Sequence, residues 1–152
     1  MLQLLLSPLL LLRQLFLAFR LKYFLFLSEV FEKELINFND GYIIGYVVEE
    51  DLFLVQYHGG NGSLKYWTTT GQANSFSTVD EVMESLALLP EWGQRSMVSV
   101  AKIPAGTEVK YAFGTAVEQS SKITGQTVTG GGLQYLFEEF DPNWILETRL
   151  IP

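Results

Sequence analysis

The sequence predicts an α+β fold: a small mixed or antiparallel sheet with one central helix, preceded by a hydrophobic N-terminal helix. Three observations carry this. From Tyr42 onward, short runs rich in β-branched and aromatic residues recur between turn clusters, which is the texture of strands. One stretch, Ser77 to Leu89, restores helical spacing, with Val79, Val82, Met83 and Leu86 on one side. Strands and helices do not alternate, so the logic of a doubly wound parallel sheet is missing.

The elements follow in order. The first 27 residues, "MLQLLLSPLLLLRQLFLAFRLKYFLFL", are strongly apolar. Their longest charge-free run, Met1 to Leu12, is short against the ~20 residues of a spanning helix. Arg13 and Arg20 share a helix face, while Lys22 points roughly the opposite way. The segment also lacks the basic leader and small-residue cleavage site of a secretory signal. Three readings stay open: a membrane-associated segment, a core helix packed on the domain behind it, or an extension outside the folding unit. "SEVFEKELINFND", Ser28 to Asp40, reads as a short connector helix with Ser28 as N-cap and acids in the first turn. The chain thus divides into an extension (1–27) dispensable for the core fold, a connector (28–41) and a main domain (42–152).

Within the main domain, "YIIGYVV" and "LFLVQYH" are strands split by an acidic turn. "HGGNGS" is a turn cluster and "LKYWTTT" a third strand. The central helix is capped by Ser77 or Thr78 and stopped by "LPEWG". "SMVSVAKI" and "TEVKYAFGTAV" form a strand pair around "PAG". A polar loop, Glu118 to Gly132, precedes the strand "LQYLFEEF". "DPNWIL" is a Pro-started turn, and "ETRLI" closes the sheet.

Composition narrows the chemistry. Hydrophobic residues make up 48% and aromatics 14% of 152 residues, enough for a packed core and against low-complexity disorder. There is no Cys, so neither disulfides nor thiolate metal sites arise, and the redox compartment stays open. The single His58 excludes a multi-histidine metal centre. The formal charge is -7, and residues 1–27 hold Arg13, Arg20 and Lys22 without an acid. That leaves 7 basic against 17 acidic residues beyond them, a net of -10. Such a field repels phosphate backbones and argues against nucleic acid as a partner.

Three constellations carry candidate chemistry. "TGGGLQY" sets Gly130, Gly131 and Gly132 directly before Gln134. Consecutive glycines allow positive φ and close approach of a ligand to bare backbone, and they equally serve bulges and hairpins. "QYHGGNGSLKYWTTT" offers Trp67 or Tyr66 for stacking on a flat ring and three Thr hydroxyls, or else an ordinary surface hairpin. The late acids Glu138, Glu139, Asp141 and Glu147 offer a carboxylate pair or a solvated face. No P-loop, GxSxG or HExxH motif is present.

The order of the pieces adds a resemblance. "LPEW" closing a helix, then "IPAGTEVKYAFGTAV", "GGGLQY" and "DPNWILETRLIP" resemble the C-terminal toxin domains of bacterial polymorphic toxins, in particular the tuberculosis necrotizing toxin family. The likeness covers roughly Gln56 to Pro152. It implies a secreted toxin, a hydrolase of the NAD(P)+ glycohydrolase type, on a scaffold related to ADP-ribosyltransferases. By the resemblance Gln134 is the catalytic glutamine, Gly130, Gly131 and Gly132 the glycine loop, and Tyr135 the following aromatic. Where the family places an arginine before an aromatic–glycine pair, this chain reads Gln56-Tyr57-His58-Gly59. Tyr57 and Trp67 are then expected beside the cofactor, with the cation supplied by Lys65 or Arg95. NAD(P)+ is implied as substrate, with no prosthetic group, no metal and an immunity protein as partner. Residues 1–27 supply any membrane contact, and the localisation stays open between secreted and membrane-associated. Two alternatives stand beside this: an ADP-ribosyltransferase using Glu138 or Glu139, and a toxin-like domain that only binds.

Overall fold

A computed structural model describes residues 7–14, 27–60 and 63–152 of the chain. Of the N-terminal stretch, residues 8–14 form a short, exposed helix (α1), and among the described residues no long apolar helix is shown there. The rest of that expected helix lies outside the described residues. Among the described residues no helix is long and apolar enough to cross a membrane.

Ser28 does cap the next helix, α2 (Glu29–Glu34): its Oγ accepts from the Phe31 amide at 3.2 Å. The α-helix ends at Glu34, where the chain tightens into a 3₁₀ turn at Leu35–Asn37 and then becomes extended at Phe38. Phe31 and Phe38 are both buried, against Ala112 and Leu136. The connector is therefore packed on the sheet, and this seats its last turn beside the cavity described below.

The strands are β1 (Ile43–Val47), β2 (Leu52–His58), β3 (Tyr66–Thr69), β4 (Met97–Ile103), β5 (Glu108–Thr115), β6 (Gln119–Ser120), β7 (Thr127–Val128), β8 (Leu133–Phe137) and β9 (Ile145–Leu150). Seven of them form one sheet in the order β1-β5-β8-β3-β2-β4-β9. Every neighbouring pair is antiparallel. β6 and β7 make a separate hairpin inside the stretch expected to be a polar loop. The α+β prediction with an antiparallel sheet is met.

Two helices follow β3. The expected strand "LKYWTTT" ends early: Thr69 turns the chain into α3 (Thr70–Asn74) by accepting the Gln72 amide on its Oγ1 at 3.0 Å. The central helix is α4 (Val79–Ser85), capped by Thr78. It closes on Ala87, at φ 53°, a left-handed position usually taken by Gly. The Ala87 methyl is buried with Leu89, Ala116 and Val128, a contact Gly could not make.

The alternation along β8 sorts its side chains. Tyr135 and Phe137 join Leu54, Trp67, Ala101 and Ile103 in the larger core, on one face. Gln134 and Leu136 point to the other face, where Leu136 meets the connector.

Candidate functional site

β3 pairs with two partners through different halves of its short length. Tyr66 and Trp67 are in register with β8, whereas Thr68 and Thr69 are in register with β2. Each neighbour leaves β3 where the other joins it. Side chains bridge the openings: the Gln56 amide donates to the Tyr66 carbonyl at 2.9 Å and the Ser63 carbonyl at 2.6 Å. The Thr68 hydroxyl donates to the Leu133 carbonyl at 2.7 Å. Over this divide lies a cavity of about 330 Å³. Its walls come from the connector, from the segment after α4, and from the chain between β5 and β6.

Gln134 sits in this cavity and is only 7% exposed. Its Nε2 donates to the Asn37 carbonyl at 3.0 Å, and that carbonyl also accepts the Val117 amide at 3.0 Å. A carbonyl can only accept, so the orientation of the Gln134 amide is determined. Oε1 is left without a donor among the described residues, and it is not among the atoms sealed from solvent. Gln134 thus offers the cavity an acceptor on a tethered side chain. The tether is itself held: Asn37 donates through Nδ2 to the Tyr66 hydroxyl at 2.8 Å and accepts from Gln119 Nε2 at 3.2 Å. The Tyr66 hydroxyl donates to Glu34. Burial and the bond to Glu34 push the phenol well above its ordinary range.

Arg95 also lines this cavity. Its Nε is buried without an acceptor, and no carboxylate pairs with its guanidinium among the described residues. Burial lowers its pKa, yet an arginine keeps its proton in proteins. An uncompensated cation in a chain of net charge -7 is a local anion site. Lys65, the other expected cation, lies outside the lining, 3.9 Å from Glu34 Oε1.

His58 also lines the cavity and is buried. The Gly60 amide donates to its Nδ1 at 3.0 Å, so the neutral ring carries its proton on Nε2 and donates to Ser99 Oγ at 2.7 Å. Ser99 Oγ and Thr148 Oγ1 share a further hydrogen bond, also at 2.7 Å. Burial, and secondarily the Arg95 charge, lower the His58 pKa below its ordinary 6.5. Below about pH 6.5 the unfolded chain therefore binds a proton that the fold resists. The His58 contribution to stability is complete above that pH and is lost as pH falls through the lowered folded value. Thermal unfolding between pH 8 and 5 is expected to show wild type losing more melting temperature than His58→Gln. Parallel profiles would remove His58 from the acid response.

The remaining expected site residues are placed differently. Tyr57 lines the cavity, edge-on to Phe76 with ring centroids 6.3 Å apart. Trp67 touches the lining, but its ring is 2% exposed and stacked on Phe140 at 4.5 Å, on the core face. Its face is not open to a ligand. Tyr135 follows Gln134 in sequence and so points to the opposite face, against Phe113 at 4.4 Å. Strand alternation thus keeps it out of the cavity that holds Gln134.

The amides of the glycine run are taken up within the fold. α4 ends with orphan carbonyls, as every helix does. The Gly130 amide donates to Glu84 O at 2.9 Å and the Gly132 amide to Ser85 O at 2.8 Å. The Gly131 amide donates to Ala116 O at 2.8 Å. A Cβ on Gly132 would lie 2.4 Å from Ser85 Oγ, and one on Gly130 would lie 2.3 Å from Ala116 O. Gly130 and Gly132 are pressed against Ala116 and Ser85, a side chain at Gly131 would meet open space, and none of the three glycines lines the cavity. The run docks α4 against β8, which sets Gln134 two residues beyond the last glycine.

Sequence reasoning missed Glu34, Asn37 and Trp92 as cavity residues. Glu34 and Asn37 read as an ordinary helix end, and Trp92 as part of a helix stop. No local pattern distinguishes these cases. No protein-family model, no curated protein and no solved structure matches this chain.

Proposed function

We propose that the chain is an NAD(P)+ glycohydrolase-type toxin domain that cleaves the nicotinamide–ribose bond. The observation that carries this reading is one cavity holding both the tethered Gln134 amide and an Arg95 guanidinium unpaired among the described residues. Arg95 meets the pyrophosphate. Gln134 Oε1 accepts a hydroxyl of the nicotinamide-side ribose. The carbon–nitrogen bond breaks with both electrons going to the pyridinium nitrogen, so nicotinamide leaves neutral and the ribose becomes oxocarbenium-like. The accepted hydroxyl bond strengthens as that positive charge develops. Water adds to the anomeric carbon and releases a proton. Holding the ribose in place is most of the task, and a tethered neutral amide suits it.

The ADP-ribosyltransferase alternative needs a carboxylate at the ribose. Glu138 accepts the Ser28 amide at 3.2 Å and lies 3.5 Å from Lys110 Nζ. Neither it nor the exposed Glu139 lines the cavity. The test of the proposal is consumption of NAD by the purified protein with release of free ADP-ribose. Arg95→Ala is expected to weaken NAD binding by about 1.5–3 kcal/mol, the range for hydrogen bonds to charged groups. Lys65→Ala is expected to change it less, since Lys65 is only half-buried and beside Glu34. Calorimetry showing full affinity in Arg95→Ala would remove Arg95 from the site.

A further inference from the structure

We infer that Trp92 is the stacking platform for the adenine end of the dinucleotide, with the phosphates on Arg95 between it and Gln134. The identity of the ligand rests on the glycohydrolase proposal; the platform rests on geometry. Trp92 lines the cavity and is 51% exposed. The other tryptophans are committed: Trp67 stacks on Phe140, and Trp144 sits edge-on to the same ring at 5.0 Å. Trp92 has no ring partner among the described residues.

The local chain joins this ring to the cation. Pro90–Trp92 form a 3₁₀ turn, and Gly93 at φ 114° reverses the backbone. The reversal folds Arg95 back, so that Nη1 lies 4.0 Å from where a Cβ of Gly93 would be. Platform and guanidinium therefore share one short turn. Gln134, at 7% exposure, lies deep, and Trp92 lies at the mouth. A cavity of about 330 Å³ is at the small end of ligand sites. A ligand reaching Gln134 with its ribose and Arg95 with its phosphates must place its remaining ring outside. An exposed indole offers that ring a face. Since the nicotinamide ribose is at Gln134, the outer ring is adenine.

The experiment titrates AMP, ADP-ribose and nicotinamide mononucleotide into the full chain and into Trp92→Ala and Trp92→Phe. Binding is read by calorimetry, and NAD consumption and melting curves are measured separately. Trp92→Ala is expected to raise Kd for AMP and ADP-ribose by roughly 5- to 150-fold, the range for loss of one base–aromatic stack. Trp92→Phe retains most of the affinity, and nicotinamide mononucleotide is unaffected by either change. Unaltered AMP affinity in Trp92→Ala, an equal loss for nicotinamide mononucleotide, or no adenine-nucleotide binding to wild type would overturn the inference. The two proposals separate cleanly. Trp92-dependent AMP binding without NAD turnover sustains the platform and removes the glycohydrolase. NAD turnover with unchanged KM in Trp92→Ala does the reverse.

Discussion

Replacing Gln134 by alanine is expected to lower kcat for NAD hydrolysis by on the order of 10²–10³ with little change in KM, as for loss of one preorganised electrostatic contact. The expectation follows from how the side chain is held. Its Nε2 is fastened to the Asn37 carbonyl at 3.0 Å, so Oε1 needs no reorganisation when the ribose arrives. A contact that strengthens only as the oxocarbenium charge develops acts on kcat. The cost to stability is smaller, about 0.5–1.5 kcal/mol, because the Asn37 carbonyl keeps the Val117 amide as a donor. Gln134→Glu distinguishes the two ends of the amide. It retains an acceptor but turns a carboxylate oxygen toward the Asn37 carbonyl, an acceptor against an acceptor. That variant is expected to lose melting temperature as well as turnover. Steady-state kinetics of NAD consumption, with melting curves alongside, make the measurement. A Gln134→Ala protein as active as wild type would end the catalytic assignment.

Trp67→Ala is expected to cost about 3–5 kcal/mol of folding stability, the range for truncating a large buried aromatic. Trp67 is 2% exposed and stacks on Phe140 at 4.5 Å with the rings 16° apart. Its Nε1 donates to the Leu64 carbonyl at 2.9 Å. Urea unfolding reads the loss. Trp67→Phe is expected to recover much of it, while leaving the Leu64 carbonyl without that donor. Were Trp67 a ligand platform instead, its truncation would raise Kd while sparing the midpoint. A Trp67→Ala midpoint within error of wild type would contradict the placement of its ring in the core.

Much of the fold is legible in the sequence because its signals are local. Ser28 and Thr78 are both N-caps, the role their hydroxyls suit. The β-branched and aromatic runs are strands, and Gln134 stands near the start of one, two residues after the glycines. Period-two alternation already separates Gln134 from Tyr135, although the resemblance drew both toward one ligand. Other features are not local. Asn37 holds Gln134 across 97 positions of sequence, and Tyr66 binds Glu34 across 32. Those pairings exist because β3 divides its edges between β2 and β8, and nothing in "YWTT" states which neighbour takes which half.

By itself, then, the amino-acid sequence determined the strands, the central helix and the excess of negative charge. It also marked Gln134 and Arg95 as residues of chemical interest. Only the tertiary structure decided that these two share a cavity, that the glycine amides are taken by α4 and Ala116, and that Trp92 rather than Trp67 shows its ring to solvent. The physical reason is that periodicity tells which side chains share a face. What covers that face, and which donors are already satisfied on it, depends on contacts between segments far apart in the chain.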